Sequence, residues 1–448
     1  MAINTLDVRN YSLVTVVGLL LGTIVAWVTW SDGPVSAGER APSIDSVVPV
    51  VPQVGSATTE TNRKNPTLSF EQAIPFPVAE MDPEASRFDN GRYVQRLSEN
   101  RSLVYTLVPA VQKRAQSLLD EYKVDYGAVV AIEPQTGRIL GRVSSSTVEP
   151  DIVGLTERAH PPAASVFKVI TTASLLESIG LEPSHVTCFH GGRRGIWNKH
   201  LRDDPKRDHQ CQTLTEALGR SSNVIYGKLA TRHLDVDLLS QYAHAFGWDR
   251  AIQSIPSVEP SRTDFDRNRL EFARGAAGFY HTKMSPMHGA MVAATIANEG
   301  VMMSPQLVER YEAAGQTFYQ HKPQVLWRTI QASTAKTLAK MMVHTTEKGT
   351  SASYFRKRRA ALRNIDVAAK TGSLSNRADD GERHHYSWWV GFAPAENPRI
   401  ALAAMVVSIG DWRIKSSHVA REVLQAYFSA HPNPEVGVDS QSVIERSE

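Results

Sequence analysis

The longest uninterrupted apolar run lies near the N-terminus. Tyr11 to Trp30 is a stretch of twenty residues without a charge, and it contains Trp27 close to its end. A helix of this length crosses the roughly 30 Å apolar core of a bilayer, and tryptophans suit the membrane interface. A cleaved signal peptide, with Val35-Ser-Ala37 as its cleavage site, is the alternative, but the apolar region of a signal peptide is shorter. We therefore predict a cytoplasmic segment at 1–10, a transmembrane anchor at 11–30, and the remaining chain outside the cytoplasm.

The pattern then changes twice along the chain. Residues 31–100 are predicted to be a Pro/Ser-rich linker, because the part before about residue 85 contains eight prolines and shows no sustained helical or strand period. Such a segment cannot bury enough apolar surface to offset its ordering entropy. A single globular domain is predicted at 101–431, followed by a polar tail at 432–448.

Periodic apolar positions within the domain predict helices between strands at its two ends. The predicted helices are Val104–Tyr122, several segments from 165 to about 345, and Ser416–Ala430, and the predicted strands are Ala128–Ile132, Arg138–Ser144, Asp366–Lys370, Ser387–Phe392 and Ile400–Ser408. The first two strands form a hairpin around a turn. This order predicts an α+β fold, in which an antiparallel sheet joins both ends of the domain and an all-helical subdomain lies between them.

Composition limits the classes of function. The chain has 448 residues, a formal net charge of +3, 42% apolar residues and 21% charged residues. These values are typical of globular proteins and exclude fibrous and wholly disordered chains. The small charge gives no support for a nucleic-acid partner.

Three short motifs carry the candidate chemistry. In chain order they are Ser165-Val-Phe-Lys168, Ser221-Ser-Asn223 and Lys370-Thr371-Gly372-Ser373. Each motif alone is short enough to arise by chance, and Ser333 with Lys336 repeats the spacing of the first. Their order and surroundings must therefore distinguish them.

Ser165 precedes an apolar run, Val166–Ile179, that predicts a buried helix. A helix N-cap is the simpler interpretation of Ser165. A capping box would place Glu or Gln three residues later, but the sequence has Lys168, a cation near the positive end of a helix. Desolvation favours a neutral amine there, and a neutral amine one turn from a serine can activate that serine as a nucleophile.

These motifs resemble the Ser-x-x-Lys, Ser-x-Asn and Lys-Thr-Gly triplet of penicillin-binding proteins and serine β-lactamases. The resemblance covers about residues 101–430, and it includes Gly127–Gly137, Ser285–Gly300 and Ser387–Pro394, which are similar to segments of penicillin-binding transpeptidases. It implies the penicillin-binding and serine β-lactamase-like fold, without metal or other cofactor.

The resemblance also implies roles. Ser165 would be the acylated nucleophile, Lys168 its base, Ser221 the proton relay and Asn223 the group that contacts the substrate amide. Lys370, Thr371, Gly372 and Ser373 would bind the substrate carboxylate, and the N–H groups of Ser165 and Ser373 would form the oxyanion hole.

The implied activity is that of a peptidoglycan D,D-transpeptidase acting on D-Ala-D-Ala stem peptides and inhibited by β-lactams. Its expected partners are stem peptides, β-lactams, the membrane and a cell-wall synthesis complex. A D,D-carboxypeptidase is the close alternative, and a β-lactam sensor without turnover is a further one. We expect neither a pedestal nor a glycosyltransferase domain, which would separate this chain from the larger members of the family.

The two cysteines, Cys188 and Cys211, lie shortly before the second motif. An extracytoplasmic compartment permits a disulfide, which is the favoured interpretation. A zinc site that includes nearby histidines and a pair of free thiols remain the alternatives.

Overall fold

The structure is a computed structural model that describes residues 76–191, 195–356, 360–377 and 381–432. The predicted cytoplasmic segment, the anchor and most of the predicted tail lie outside these residues. Within the described ranges, no helix is both long and apolar enough to cross a membrane.

The described part of the chain is built from β-strands and α-helices. The strands are β1 (Arg87–Asp89), β2 (Arg92–Ser98), β3 (Arg101–Tyr105), β4 (Tyr126–Ile132), β5 (Ile139–Ser145), β6 (Val186–Phe189), β7 (Gln210–Thr213), β8 (Arg262–Thr263), β9 (Thr282–Lys283), β10 (Val301–Met303), β11 (Val308–Ala313), β12 (Gln316–Gln320), β13 (Val325–Arg328), β14 (Ala368–Arg377), β15 (Arg383–Ala393) and β16 (Ile400–Ile409). The α-helices are α1 (Pro109–Glu121), α2 (Lys168–Ser178), α3 (Leu214–Arg220), α4 (Asn223–His233), α5 (Val236–Ala245), α6 (Arg269–Ala276), α7 (Pro286–Ala297), α8 (Ala332–Glu347), α9 (Ala352–Phe355) and α10 (Ser416–Ala430). Short 3-10 turns include Ala164–Phe167, directly before α2.

The central sheet joins the two ends of the domain. Its five antiparallel strands lie in the order β14-β15-β16-β4-β5, so two strands come from the beginning of the domain and three from its end. The predicted hairpin is its β4–β5 pair. The predicted α+β class and the sheet that joins both ends are confirmed, although the segment between them also contains short strand pairs, such as β6–β7.

Helices cover both faces of this sheet. β16 shows the consequence, since Ala401, Ala403 and Met405 contribute to one apolar core while Leu402 and Ala404 contribute to the other. Successive side chains of a strand point to opposite faces, so a strand that is covered on both faces becomes an unbroken apolar run. Helices α1 and α10 pack in the second core, and α2 and α7 in the first.

The linker prediction for 31–100 is wrong over residues 76–100. β1 and β2 lie there, β1 pairs with β2 and β2 with β3, and β11 and β12 complete a second five-stranded sheet in the order β1-β2-β3-β11-β12. The one buried residue of β2 is the polar Gln95, so its sequence lacks the clear apolar alternation of a half-buried strand. β3 pairs on its other side with β11, about two hundred residues away in the chain, and only the folded structure shows that pairing.

The helix predicted from Val104 begins later. Val104 and Tyr105 belong to β3, and α1 begins at Pro109. Proline is favoured in the first helical turn because its fixed φ suits the helix and its missing N–H would be unpaired there. The helix predicted before Gly180 is α2, and the last predicted helix, Ser416–Ala430, is α10.

Candidate active site

Ser165 and Lys168 lie at the head of α2, where the sequence places them. Ser165 belongs to the 3-10 turn, and Lys168 is the first residue of α2. At the N-terminus of neither element does a side chain make a capping hydrogen bond, so Ser165 does not act as a helix N-cap. The Lys168 side chain is fully buried, and its Nζ lies 2.8 Å from Ser165 Oγ.

The backbone before Ser165 is strained. Ala164 has a φ of 50°, in the left-handed region that non-glycine residues seldom adopt. Two glycines make room for this conformation. A Cβ on Gly278 would collide with the Ala164 carbonyl oxygen, and a Cβ on Gly372 would lie only 3.1 Å from the Ala164 Cβ. Gly372 therefore lets the turn that carries Ser165 approach β14.

The second motif is the junction between α3 and α4. α3 begins with a capping box formed by Thr213 and Glu216, and it ends at Ser221, whose φ of 59° turns the chain sharply into α4. Asn223 is the first residue of α4. This turn directs the Asn223 side chain at the first motif, where its Oδ1 accepts a hydrogen bond from Lys168 Nζ at 2.7 Å.

The third motif begins on β14, an edge strand of the central sheet. Lys370 is fully buried, and its Nζ donates to Ser221 Oγ at 2.9 Å and to the Thr371 carbonyl at 2.6 Å. The Thr371 hydroxyl lies 2.5 Å from that of Thr350. Ser373, two residues further along the strand, is exposed. The structure thus brings the three motifs together, and their individual roles remain predictions.

Burial shifts the protonation of both lysines. Desolvation lowers the pKa of Lys168 well below its ordinary range, and the nearby charge of Lys370 lowers it further. Desolvation also lowers the pKa of Lys370, to about 7. Both amines are therefore neutral much more readily than an exposed lysine.

The partners of Lys168 fit a neutral amine. A neutral amine has two N–H donors and one lone pair, and Lys168 Nζ has three oxygen neighbours, the third being the Ala277 carbonyl at 2.6 Å. If its two N–H groups donate to Asn223 Oδ1 and to Ala277, the lone pair faces the hydroxyl of Ser165. This geometry prepares Nζ to accept the serine proton.

Two contributors to this site could not be predicted from the sequence. The Ala277 carbonyl is a backbone group, for which no side-chain motif exists. Tyr226 is buried on α4, and Lys168 Nζ lies 5.5 Å from the centre of its ring. An apolar-looking helix position gives no signal of that contact. The repeat of the first motif, by contrast, is separated by geometry, since Lys336 is exposed and pairs with Glu299.

Cys188 and Cys211 form a disulfide between β6 and β7, which confirms the favoured interpretation. Their sulfurs are therefore unavailable as zinc ligands, and the ring of His190 is instead bonded to Asp208. Gln212, next to Cys211, accepts a hydrogen bond from Ser222 Oγ at 2.5 Å, so this hairpin also supports the second motif.

A scan against protein-family models matches residues 127–428 to the penicillin binding protein transpeptidase domain. The match covers more than half of the chain and contains all three motifs. The chain belongs to the penicillin-binding transpeptidase family. The resemblance drawn from the motifs is thereby confirmed.

Several members of this family are similar to the chain. Peptidoglycan D,D-transpeptidase PbpA of Mycolicibacterium smegmatis is 29% identical over 315 residues, which are 64% of this chain and 62% of the relative. The corresponding protein of Mycobacterium tuberculosis is 27% identical over 372 residues, covering 73% of this chain and 72% of the relative. The chain therefore spans a little under two thirds of the length of one of these relatives and somewhat more of the other.

Solved structures agree with this grouping. The D,D-transpeptidase domain of a peptidoglycan glycosyltransferase from Eggerthella lenta has a TM-score of 0.61 and 26% identity, over 74% of this chain and 83% of that one. The imipenem acyl-enzyme complex of penicillin-binding protein A from M. tuberculosis has a TM-score of 0.59 and 25% identity, over 72% of this chain and 79% of that one. These similarities confirm the predicted fold.

Proposed function

We propose that this chain is a peptidoglycan D,D-transpeptidase that works through an acyl-enzyme on Ser165. The observation that carries the proposal is the fully buried amine of Lys168, 2.8 Å from Ser165 Oγ and surrounded by oxygen acceptors that suit its neutral form. The names of the relatives, D,D-transpeptidases of two mycobacterial species, support the same substrate class.

The first half of the reaction forms an ester. Lys168 takes the proton of Ser165 as Oγ attacks the carbonyl carbon of the penultimate D-Ala. The backbone N–H groups of Ser165 and Ser373 stabilise the oxyanion that develops. The bond to the terminal D-Ala then breaks, and Ser221 relays to the leaving amine the proton that Lys168 took from Ser165, so that Lys168 is neutral again.

Lys370 has two tasks in this scheme. Its ammonium and the Thr371 hydroxyl hold the carboxylate of the terminal D-Ala, and the incoming negative charge favours the protonated lysine. Its 2.9 Å hydrogen bond also orients Ser221 Oγ for proton transfer. In the second half, an amine of a neighbouring stem attacks the ester, forms the cross-link and frees Ser165.

β-Lactams are the second class of ligand in this proposal. Their strained amide presents a carbonyl to Ser165 and their carboxylate presents a charge to Lys370, so they follow the first half of the reaction. A related penicillin-binding protein forms such an acyl-enzyme with imipenem.

The proposal includes attachment to the bacterial inner membrane. It is supported by the uncharged run Tyr11–Trp30, which has the length of a membrane-spanning helix. Such an anchor would hold the domain outside the cytoplasm, where stem peptides and a cell-wall synthesis complex are accessible. Fractionation tests this part: full-length protein should stay with membranes after a high-salt wash, and release by that wash would contradict it.

The activity is tested with purified protein and wall material that carries pentapeptide stems, followed by mass spectrometry of the products. Cross-linked dimers that require Ser165 support transpeptidation, with Ser165→Ala as the matched control. Tetrapeptides without dimers would identify a carboxypeptidase instead. No product from folded protein that still reacts with penicillin would overturn turnover and favour a sensor.

A further inference from the structure

One tyrosine occupies the open edge of β14 beside the catalytic cleft. Tyr280 lies in the loop after α6 and is 54% exposed. Its hydroxyl donates a hydrogen bond of 2.8 Å to the Ser375 carbonyl of β14. The bond therefore joins this loop to an edge strand that carries the third motif.

The direction of the β14 backbone shows what the hydroxyl covers. Along a β-strand, the N–H and C=O groups of every second residue point toward the same edge of the strand. The Thr371 carbonyl accepts from Lys370 Nζ and the Ser375 carbonyl from Tyr280, so both point away from β15. Ser373 lies between them at the same phase, and its backbone groups face the same open edge.

The loop that holds Tyr280 is fixed at both ends against the nucleophile. On one side, the Ala277 carbonyl accepts from Lys168, and Gly278 packs against Ala164. On the other side, the Thr282 carbonyl accepts from the Ala163 N–H at 2.9 Å. Tyr280 is therefore held at a set distance from Ser165.

The proposed reaction fixes the direction of a donor peptide along this edge. The carboxylate of the terminal D-Ala lies at Lys370 and Thr371, and the oxyanion lies at Ser373. The rest of the donor then continues toward Ser375, where an extended peptide adds to the strand through backbone hydrogen bonds. Two strand residues span about 6.8 Å, so a donor that continues beyond Ser373 by two residues reaches the carbonyl that Tyr280 occupies.

We propose that Tyr280 is a specificity-determining residue that closes the β14 edge and sets how much of the donor stem can pair with it. A compact β-lactam or a short donor stops before Ser375 and reacts without moving the tyrosine. A longer donor must displace the hydroxyl and replace its hydrogen bond with one from its own backbone. This inference rests on the proposed function, since it needs a peptide donor at Ser165.

The test compares three acylating agents on full-length protein: penicillin, and two peptidyl thioesters whose acyl parts differ by two residues at the N-terminal end. The second-order rate constant for acylation of Ser165 is measured for each by intact-protein mass spectrometry. Tyr280→Phe removes only the hydroxyl, and Tyr280→Ala removes the ring as well. Tyr126→Phe is the matched control. Tyr126 lies on β4, three strands away from β14, and this variant also loses a tyrosine hydroxyl, which is hydrogen-bonded to Glu149.

The expected result is a change in length preference. A single neutral hydrogen bond corresponds to about a two- to tenfold effect, so the ratio of the rate constants for the long and the short thioester should rise by that factor in Tyr280→Phe. Tyr280→Ala should raise it at least as much, and Tyr126→Phe should leave it at the wild-type value.

Two results would overturn the inference. An unchanged ratio in both Tyr280 variants would mean that the tyrosine does not limit the donor, and a lower ratio would mean that it binds the long donor. Both are separable from a failure of the proposed function, in which wild-type protein would react with neither thioester at Ser165.

Discussion

Replacing Lys370 with Met should make the protein more stable near neutral pH while impairing acylation. Lys370 is fully buried, and its pKa is lowered to about 7 by desolvation. An unfolded chain would bind the proton with the ordinary pKa of 10.5. Between these two values the unfolded state holds more protons than the folded one, so this lysine lowers stability as the pH falls from 10.5 to 7.

The size of the effect follows from the two pKa values. At 1.36 kcal/mol per pH unit, the lysine costs about 4 kcal/mol at pH 7 and about 1 kcal/mol at pH 9.5. Methionine also loses the hydrogen bonds to Ser221 and to the Thr371 carbonyl, which together contribute about 2 kcal/mol. The net change for Lys370→Met is a gain of about 2 kcal/mol at pH 7 and a loss of about 1 kcal/mol at pH 9.5.

Urea unfolding followed by tryptophan fluorescence measures this change at both pH values. Lys336→Met is the matched control, because Lys336 is 63% exposed and its removal should shift the free energy of unfolding by less than about 1 kcal/mol at either pH. A Lys370→Met variant that is destabilised equally at pH 7 and pH 9.5 would refute the reasoning. That result would show that burial of the Lys370 amine does not lower the free energy of unfolding at neutral pH.

Four further predictions concern the reaction and its compartment. Lys168→Arg should abolish acylation while leaving the fold intact, because Arg cannot become neutral at working pH. Penicillin labelling measures the acylation rate of this variant. A rate within about tenfold of wild type, a barrier difference of roughly 1.4 kcal/mol, would mean that another group is the base. For wild type, the acylation rate constant should fall about tenfold per pH unit once acidification protonates Lys168, and stopped-flow rates that rise on acidification would contradict that. Lys370→Ala should slow acylation strongly for penicillin but much less for an analogue with an esterified carboxylate, and equal losses would argue against carboxylate binding. Alkylation without reductant should leave the intact mass unchanged, because Cys188 and Cys211 are joined, and two labelled thiols in oxidised protein would contradict the disulfide.

The parts of the fold that the sequence predicts are those with strong local patterns. The β4–β5 hairpin and α10 follow from apolar periodicity and a turn, and their positions in the chain agree with the structure to within a few residues. The second sheet could not be predicted because β2 lacks a clear apolar alternation, and because the pairing of β3 with β11 depends on contacts made only after folding.

The groups of the site likewise divide into those that the sequence predicts and those that only the structure shows. Side-chain chemistry identified Ser165 and Lys168, since a lysine in the first turn of a buried helix conflicts with both solvation and the helix dipole. The left-handed φ of Ala164 and the carbonyl of Ala277 are backbone features. They arise from the packing of distant segments, so no motif could have revealed them. Gly278 is a consequence of the same packing, since a Cβ at this position would collide with the Ala164 carbonyl oxygen.

The central claim is that Ser165 is the residue that forms the acyl-enzyme. It is tested most directly by incubating the protein with a fluorescent penicillin and mapping the labelled peptide by mass spectrometry. We expect a single adduct on Ser165 that is lost in Ser165→Ala. An adduct that persists in Ser165→Ala, or that maps to Ser333 in wild type, would contradict it.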